Sequence, residues 1–120
     1  MAKILIVEDE KIILENLKDL LEMFGYECFT ADNGFDGLKL GKTLLPDLII
    51  CDISLPGLNG FEVKNDLNSS EETAQIPFIY LTARAEKESK IQGLKLGAVE
   101  YIVKPFKINE LVKAVEKILK

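Results

Sequence analysis

Short apolar runs that alternate with segments of helical period leave this chain of 120 residues few ways to fold. The runs are Lys3–Val7, Tyr26–Ala31, Leu48-Ile49-Ile50-Cys51 ending at Asp52, Pro77–Thr82 and Val99–Val103. Each is too short for a buried helix, and near-continuous hydrophobicity marks strands covered on both faces. Between them, Glu10–Phe24 places Ile13, Leu17, Leu20, Leu21 and Phe24 on one helical face, and Gly25 stops it. Asp32-Asn33-Gly34 reads as a turn, and Phe35–Leu44 as a helix weakened by Gly37 and Gly41. Gly60–Leu67 is a short third helix, followed by a polar loop over residues 68–73. Glu86–Leu96 is a fourth, closed by Gly97, and Ile108, Leu111, Val112, Val115, Ile118 and Leu119 mark a last amphipathic helix.

Strict alternation of this kind predicts an α/β domain, a doubly wound parallel sheet of five strands with five helices on its two faces. The favoured strand order is 2-1-3-4-5, in which the first and third strands are neighbours. Their carboxyl ends then flank the switch point, where open α/β sheets hold their ligands. Glu8 and Asp9 follow the first strand and Asp52 ends the third, so three carboxylates converge on that crevice. A strand that stops at a polar loop accounts for one acid. It does not account for acids at two neighbouring strand ends, which repel one another unless a cation joins them.

The fourth strand brings a hydroxyl, Thr82, to the same edge, and the fifth brings an ammonium, Lys104. A hydroxyl and a fixed cation around three acids suit phosphoryl transfer. Asp52 is the candidate nucleophile, Glu8, Asp9 and Asp52 the candidate metal ligands, and Thr82 and Lys104 the groups that hold the remaining phosphoryl oxygens. Hard oxygen donors without nitrogen or sulfur favour Mg2+, with Mn2+ as the alternative. The chain has no histidine, so it cannot be its own phosphohistidine donor. The phosphoryl group must come from elsewhere.

Composition fits one soluble domain over residues 1–120: 48% hydrophobic, 29% charged, with no stretch long enough to span a membrane. A net charge of −5 argues against direct nucleic-acid binding by this domain. Lys3 leads straight into a strand with no leader pattern, so a cytoplasmic location is expected. Cys28 and Cys51 fall inside apolar strands without Cys-x-x-Cys spacing and read as buried, reduced thiols.

The paired acids after the first strand, Asp52 with Pro56 and Gly60 beyond it, Leu81-Thr82-Ala83 and Lys104-Pro105-Phe106 resemble the receiver domain of two-component response regulators. The resemblance spans essentially the whole chain in the family's order. It implies the flavodoxin-like fold also found in a chemotaxis receiver. It further implies that Asp52 accepts a phosphoryl group from a histidine kinase or phosphotransfer protein. Small phosphodonors can serve as well, and autodephosphorylation follows, so the domain is a phosphoacceptor rather than an enzyme of its own. Asp9 and Asp52 would ligate Mg2+ directly, Glu8 through water, and the backbone carbonyl of Ser54 would complete the protein ligands. Thr82 and Tyr101 would act as the switch pair that repacks the face formed by the Glu86–Leu96 helix, the fifth strand and the last helix. A downstream protein or a fused output domain would read that face, with the domain a monomer or a phosphorylation-dependent dimer. The resemblance also implies a cis peptide between Lys104 and Pro105.

Some positions depart from the family pattern. Glu8 stands where Asp is often found, and Val99 interrupts a pair of acids before Tyr101, while the last helix has no arginine. The salt-bridged dimer of one DNA-binding subfamily is therefore not expected. Lys107 replaces a capping residue three positions before Glu110. Ser54 and Arg84, two residues past Asp52 and Thr82, would flank the attacking water and set the phosphoryl lifetime.

Three other readings compete. A phosphatase using an aspartyl nucleophile needs a second acid two residues on, where this chain has Ser54. A flavin-binding module needs a Ser/Thr/Gly-rich phosphate loop where this chain has Glu8-Asp9-Glu10. A phosphate-independent receiver that serves only as an interaction module keeps the fold and drops the chemistry.

Overall fold

The computed structural model describes residues 1–120. Its centre is a fully parallel sheet of β1 (Lys3–Val7), β2 (Glu27–Ala31), β3 (Leu48–Cys51), β4 (Phe78–Thr82) and β5 (Glu100–Val103), in the order β2-β1-β3-β4-β5. That is the order expected. In the register of β1 on β3, Ile4 faces Leu48 and Val7 faces Cys51. The two strands therefore end level, and whatever follows Val7 and Cys51 is placed side by side.

Alternation along each strand divides the core in two. One face carries Leu5, Val7, Ile49, Cys51, Phe78 and Tyr80, covered by Phe61, Val63 and Leu67 of α3 (Gly60–Leu67). The opposite face carries Ile4, Ile6, Leu48, Ile50, Ile79 and Leu81. It is covered by Leu14, Leu17 and Leu21 of α1 (Lys11–Met23) and by Leu111 and Val115 of the C-terminal helix. Helix α2 (Gly34–Leu44) lies on the α3 side, and its glycines have a use there: a Cβ on Gly37 would come within 2.8 Å of Val7 Cγ1. What costs helix propensity permits close packing of α2 on the sheet.

Two expectations are corrected. Residues 68–73 are not simply a polar loop, because Glu71–Ala74 forms one helical turn, α4, in addition to the five longer helices expected. Glu71 and Glu72 favour its N-terminal end electrostatically, and buried Thr73 donates to the Leu67 carbonyl at 2.6 Å. Gly34 is the first residue of α2 rather than part of the turn, since the Asn33 side chain accepts from Asp36 N at 2.9 Å as an N-cap. The remaining helices are α5 (Lys87–Lys95) and α6 (Ile108–Leu119). Lys107 precedes α6 without a side-chain cap, and none of the helices is long and apolar enough to cross a membrane.

Candidate functional site

Parallel strands that end level deliver their next residues to one edge. Glu8 N donates to Ala31 O at 3.0 Å and Asp52 N to Val7 O at 3.0 Å, so the ladder continues through both acids. Glu8 and Asp52 are buried, at 2% and 7% exposure, while Asp9 faces solvent. One carboxylate oxygen from each of Glu8, Asp9 and Asp52 lies within 4.8 Å of the others. The three acids among the predicted metal ligands are thus brought together.

The backbone around Asp52 fixes the carboxylate. Ile53 N donates to its Oδ1 at 2.6 Å and Ser54 N to the same oxygen at 3.2 Å. Gly60 packs on the Asp52 carbonyl so closely that a Cβ could not be accommodated. Helix α3 starts at that glycine because Asn59 and Glu62 form a reciprocal capping box, each contact 2.9 Å. Asn59, unlike Gly60, is not part of the family pattern above, yet Asn-x-x-Glu before an apolar run is a legible cap signal.

Lys104 reaches back from the end of β5 to join the acids. Its Nζ donates to Glu8 Oε1 and, at 3.0 Å, to Asp52 Oδ2, and its own backbone N donates to Thr82 O at 2.8 Å. The Lys104–Pro105 peptide is cis. Burial alone would push the Lys104 ammonium down, but hydrogen bonds and charge from Glu8 and Asp52 outweigh it and hold the group above its ordinary value. For Glu8 the balance falls the other way: burial lifts the carboxyl more than Lys104 and the Glu10 N–H hold it down. Three acids against one ammonium leave the crevice short of positive charge. Its donors are all hard oxygens, which fits a small divalent cation such as Mg2+.

Around the rim, Thr82 is fully buried and its Oγ1 accepts from Arg84 N at 3.2 Å. Tyr101, 8% exposed, donates its hydroxyl proton to Arg84 O at 2.7 Å. The two predicted switch residues therefore meet on the main chain of one residue. The Arg84 side chain crosses the mouth, with Nε donating to Ser54 Oγ at 3.3 Å. Cys51 is fully buried beside the site and donates its thiol proton to the Asp52 carbonyl at 3.2 Å. Burial and the neighbouring acids push that thiol well up, so it stays protonated.

Known proteins share this sequence pattern and fold. The response regulator receiver domain model matches residues 4–116. The chain is 45% identical over 117 residues to the phosphate regulon transcriptional regulatory protein PhoB of Pseudomonas aeruginosa, covering 98% of this chain and 51% of that protein. It spans about half the length of several such curated relatives and 98% of another. Among solved structures, chemotaxis protein CheY4 of Vibrio cholerae superposes with a TM-score of 0.92 at 32% identity, over 99% of both chains. The receiver domain of a sensor histidine kinase from Pseudomonas aeruginosa, with a magnesium ion coordinated in its active-site cleft, superposes with a TM-score of 0.88 at 28% identity, over 97% of this chain and 95% of that one. Receiver domains are signalling domains whose general role is a phosphorylation switch between histidine kinases and outputs. With its fold and nearly its whole length matched, the chain belongs to the response regulator receiver domain family.

Proposed function

We propose that residues 1–120 act as a phosphorylation-activated switch in which Asp52 accepts a phosphoryl group from a histidine kinase or phosphotransfer protein in the cytoplasm. The observation that carries this reading is the Asp52 carboxylate itself. It is nearly buried, with Oδ1 pinned by two backbone N–H groups and Oδ2 held only by the Lys104 ammonium, beside Glu8 and Asp9. Oδ2 is therefore the oxygen free to attack phosphorus, forming a P–O bond as the donor's P–N bond (or P–O bond in acetyl phosphate) breaks and the leaving group takes the electron pair. Glu8, Asp9, Asp52 and the Ser54 carbonyl would hold Mg2+, or Mn2+, which supplies charge neutralisation at the phosphoryl oxygens.

Lys104 lies close enough to Asp52 to transfer its hydrogen bond to an incoming phosphoryl oxygen. Thr82 can turn its hydroxyl to the same group, giving up Arg84 N, and Tyr101 feels the change through Arg84 O. This shared backbone couples the site to α5, β5 and α6, the face that a downstream protein or fused output domain would read, as monomer or phosphorylation-dependent dimer. Autophosphorylation from small donors and autodephosphorylation follow from the same residues, with Ser54 and Arg84 setting the lifetime.

Intact mass after incubation with acetyl phosphate tests the reading. One phosphoryl adduct that needs Mg2+ and disappears in Asp52→Asn supports it. No adduct in folded protein that still binds Mg2+ overturns it in favour of a phosphate-independent interaction module.

A further inference from the structure

Lys64 is the one buried lysine of the chain, and the receiver chemistry does not use it. It lies on α3 between Gly60, Phe61 and Leu67, in line with the apolar stripe, and is only 2% exposed. No carboxylate lies within ion-pairing distance of it, the ion pairs being confined to Lys18 and Lys104. Burial therefore pushes its ammonium below the ordinary lysine value. A buried cation without a counter-ion is costly, so the neighbours that compensate it are informative.

Those neighbours belong to the end of α5. Lys64 Nζ donates to Asn68 Oδ1 at 2.6 Å, and Asn68 Nδ2 donates to Leu96 O at 2.8 Å. An ammonium has no acceptor and a carbonyl has no donor, so the amide can serve both only in this orientation. Leu96 caps α5, and Gly97, at φ +104°, closes it: Gly97 N donates to Leu94 O at 3.0 Å and Ala98 N to Gly93 O at 3.3 Å. This is a Schellman turn, and it leaves the Leu96 carbonyl for Asn68. The Lys64 ammonium also packs within 3.7 Å of where a Cβ on Gly97 would stand, at the negative end of the helix dipole, and 5.8 Å from the centre of the Phe78 ring.

Toward its N-terminal end α5 is mostly exposed. Only Ser89 and Gly93 are buried among its residues, and Glu86 provides no side-chain cap to its N-terminal backbone. That end follows directly on the Arg84 segment, where Thr82 and Tyr101 meet. Helix α3, in contrast, is anchored beside Asp52 by its capping box and by Gly60.

We propose that Lys64 and Asn68 are positioning residues that tether the C-terminal end of α5 to α3, so that α5 swings about Leu96 while its N-terminal end moves. The consequence for signalling rests on the receiver reading. A change at Thr82 and Arg84 becomes a tilt of α5 rather than a rigid shift, because the far end is referenced to the same body that carries Asp52.

Amide hydrogen exchange on the whole chain, at rest and without metal, tests the tether. Lys64→Met removes the donor and the buried charge while keeping the side chain's length. Asn68→Asp keeps a partner for Lys64 but cannot donate to Leu96 O. Both variants should exchange about fivefold faster at Leu96, Gly97 and Ala98, the loss of a hydrogen bond of about 1 kcal/mol. Amides of β3 and β4 should be unchanged or slower. If Lys64 and Asn68 only fill space, the local amides will follow the core amides in both variants, and the tether is overturned. With acetyl phosphate and Mg2+, exchange in the wild type should change at Lys90 and Ile91 but not at Leu96–Ala98. An equal change along the whole helix overturns the pivot. If the wild type forms no adduct by mass, the receiver reading fails and takes the swing with it, while the resting-state result still decides the tether.

Discussion

Glu8 shows, at the level of one residue, what burying a carboxylate beside other acids asks of the fold. Its carboxyl is raised above the ordinary value because burial outweighs the help of Lys104. A carboxyl raised in the folded state binds its proton more tightly there than in the unfolded chain. Folding is therefore penalised progressively as the pH rises from the unfolded value near 4.5 to the folded value, fully above that window and not at all below it. Glu8→Gln should accordingly raise the melting temperature of the metal-free protein at pH 7.5 by on the order of 4 °C. The gain should shrink as the pH falls toward 4, as thermal unfolding at both pH values will show. Arg84 works differently, because its backbone serves Thr82 and Tyr101 while its side chain bridges to Ser54. Arg84→Ala leaves the backbone contacts in place and opens the mouth to water. The phosphoryl lifetime should shorten by about fivefold, the equivalent of a hydrogen bond of about 1 kcal/mol, with phosphorylation from acetyl phosphate changed less. Equal effects on both rates, followed by mass or phosphate release, would exclude a lifetime role.

At the scale of elements, helix ends separate strong local signals from weak ones. Helix α3 has a complete capping box from Asn59 and Glu62, and α2 has Asn33. Helix α6 begins at Lys107 with no side-chain cap, although Leu111, Val112 and Val115 bury its inner face. Tertiary packing of that face, rather than its cap, holds α6 in place. Lys107→Asp should therefore stabilise the fold by about 1 kcal/mol, since Asp can accept from the first-turn N–H groups that Lys cannot. Urea unfolding of the two proteins at equal ionic strength measures the difference. An unchanged midpoint would mean that water already satisfies those groups. The short α4 is the opposite case: four residues give too little periodicity to be seen in advance, and buried Thr73 holds the turn through Leu67 O.

For the molecule as a whole, the doubly wound sheet lets the core and the site coexist. Apolar side chains alternate to the two faces of each central strand, and the buried carboxylates gather at the carboxyl edge where those strands stop. A cation bound there is coupled to the global fold, because its ligands follow two neighbouring central strands. Mg2+ at a hundredfold excess over its dissociation constant should stabilise the protein by about 2.7 kcal/mol. Asp9→Asn should remove most of that gain while leaving the metal-free protein folded, since Asp9 faces solvent. Melting curves across a magnesium titration will distinguish this from a nonspecific salt effect, which would act equally on both proteins.

The sequence by itself determined the alternation of elements, the edge at which Glu8, Asp9, Asp52, Thr82 and Lys104 emerge, and the weak cap at Lys107, while the choice of strand order leaned in part on the resemblance to receiver domains. Hydrophobic period, turn residues and strand ends are local, and right-handed crossovers leave few ways to assemble them. Only the tertiary structure decided that Lys104 spans Glu8 and Asp52, that Thr82 and Tyr101 share the backbone of Arg84, and that Lys64 is buried against the end of α5. Lys64 donates to Asn68 only one helical turn away, but nothing local marks the Leu96 carbonyl, 28 residues beyond Asn68, that completes the link. Such contacts depend on distances between elements remote in the chain and on side-chain directions fixed by packing. Local pattern carries no record of either.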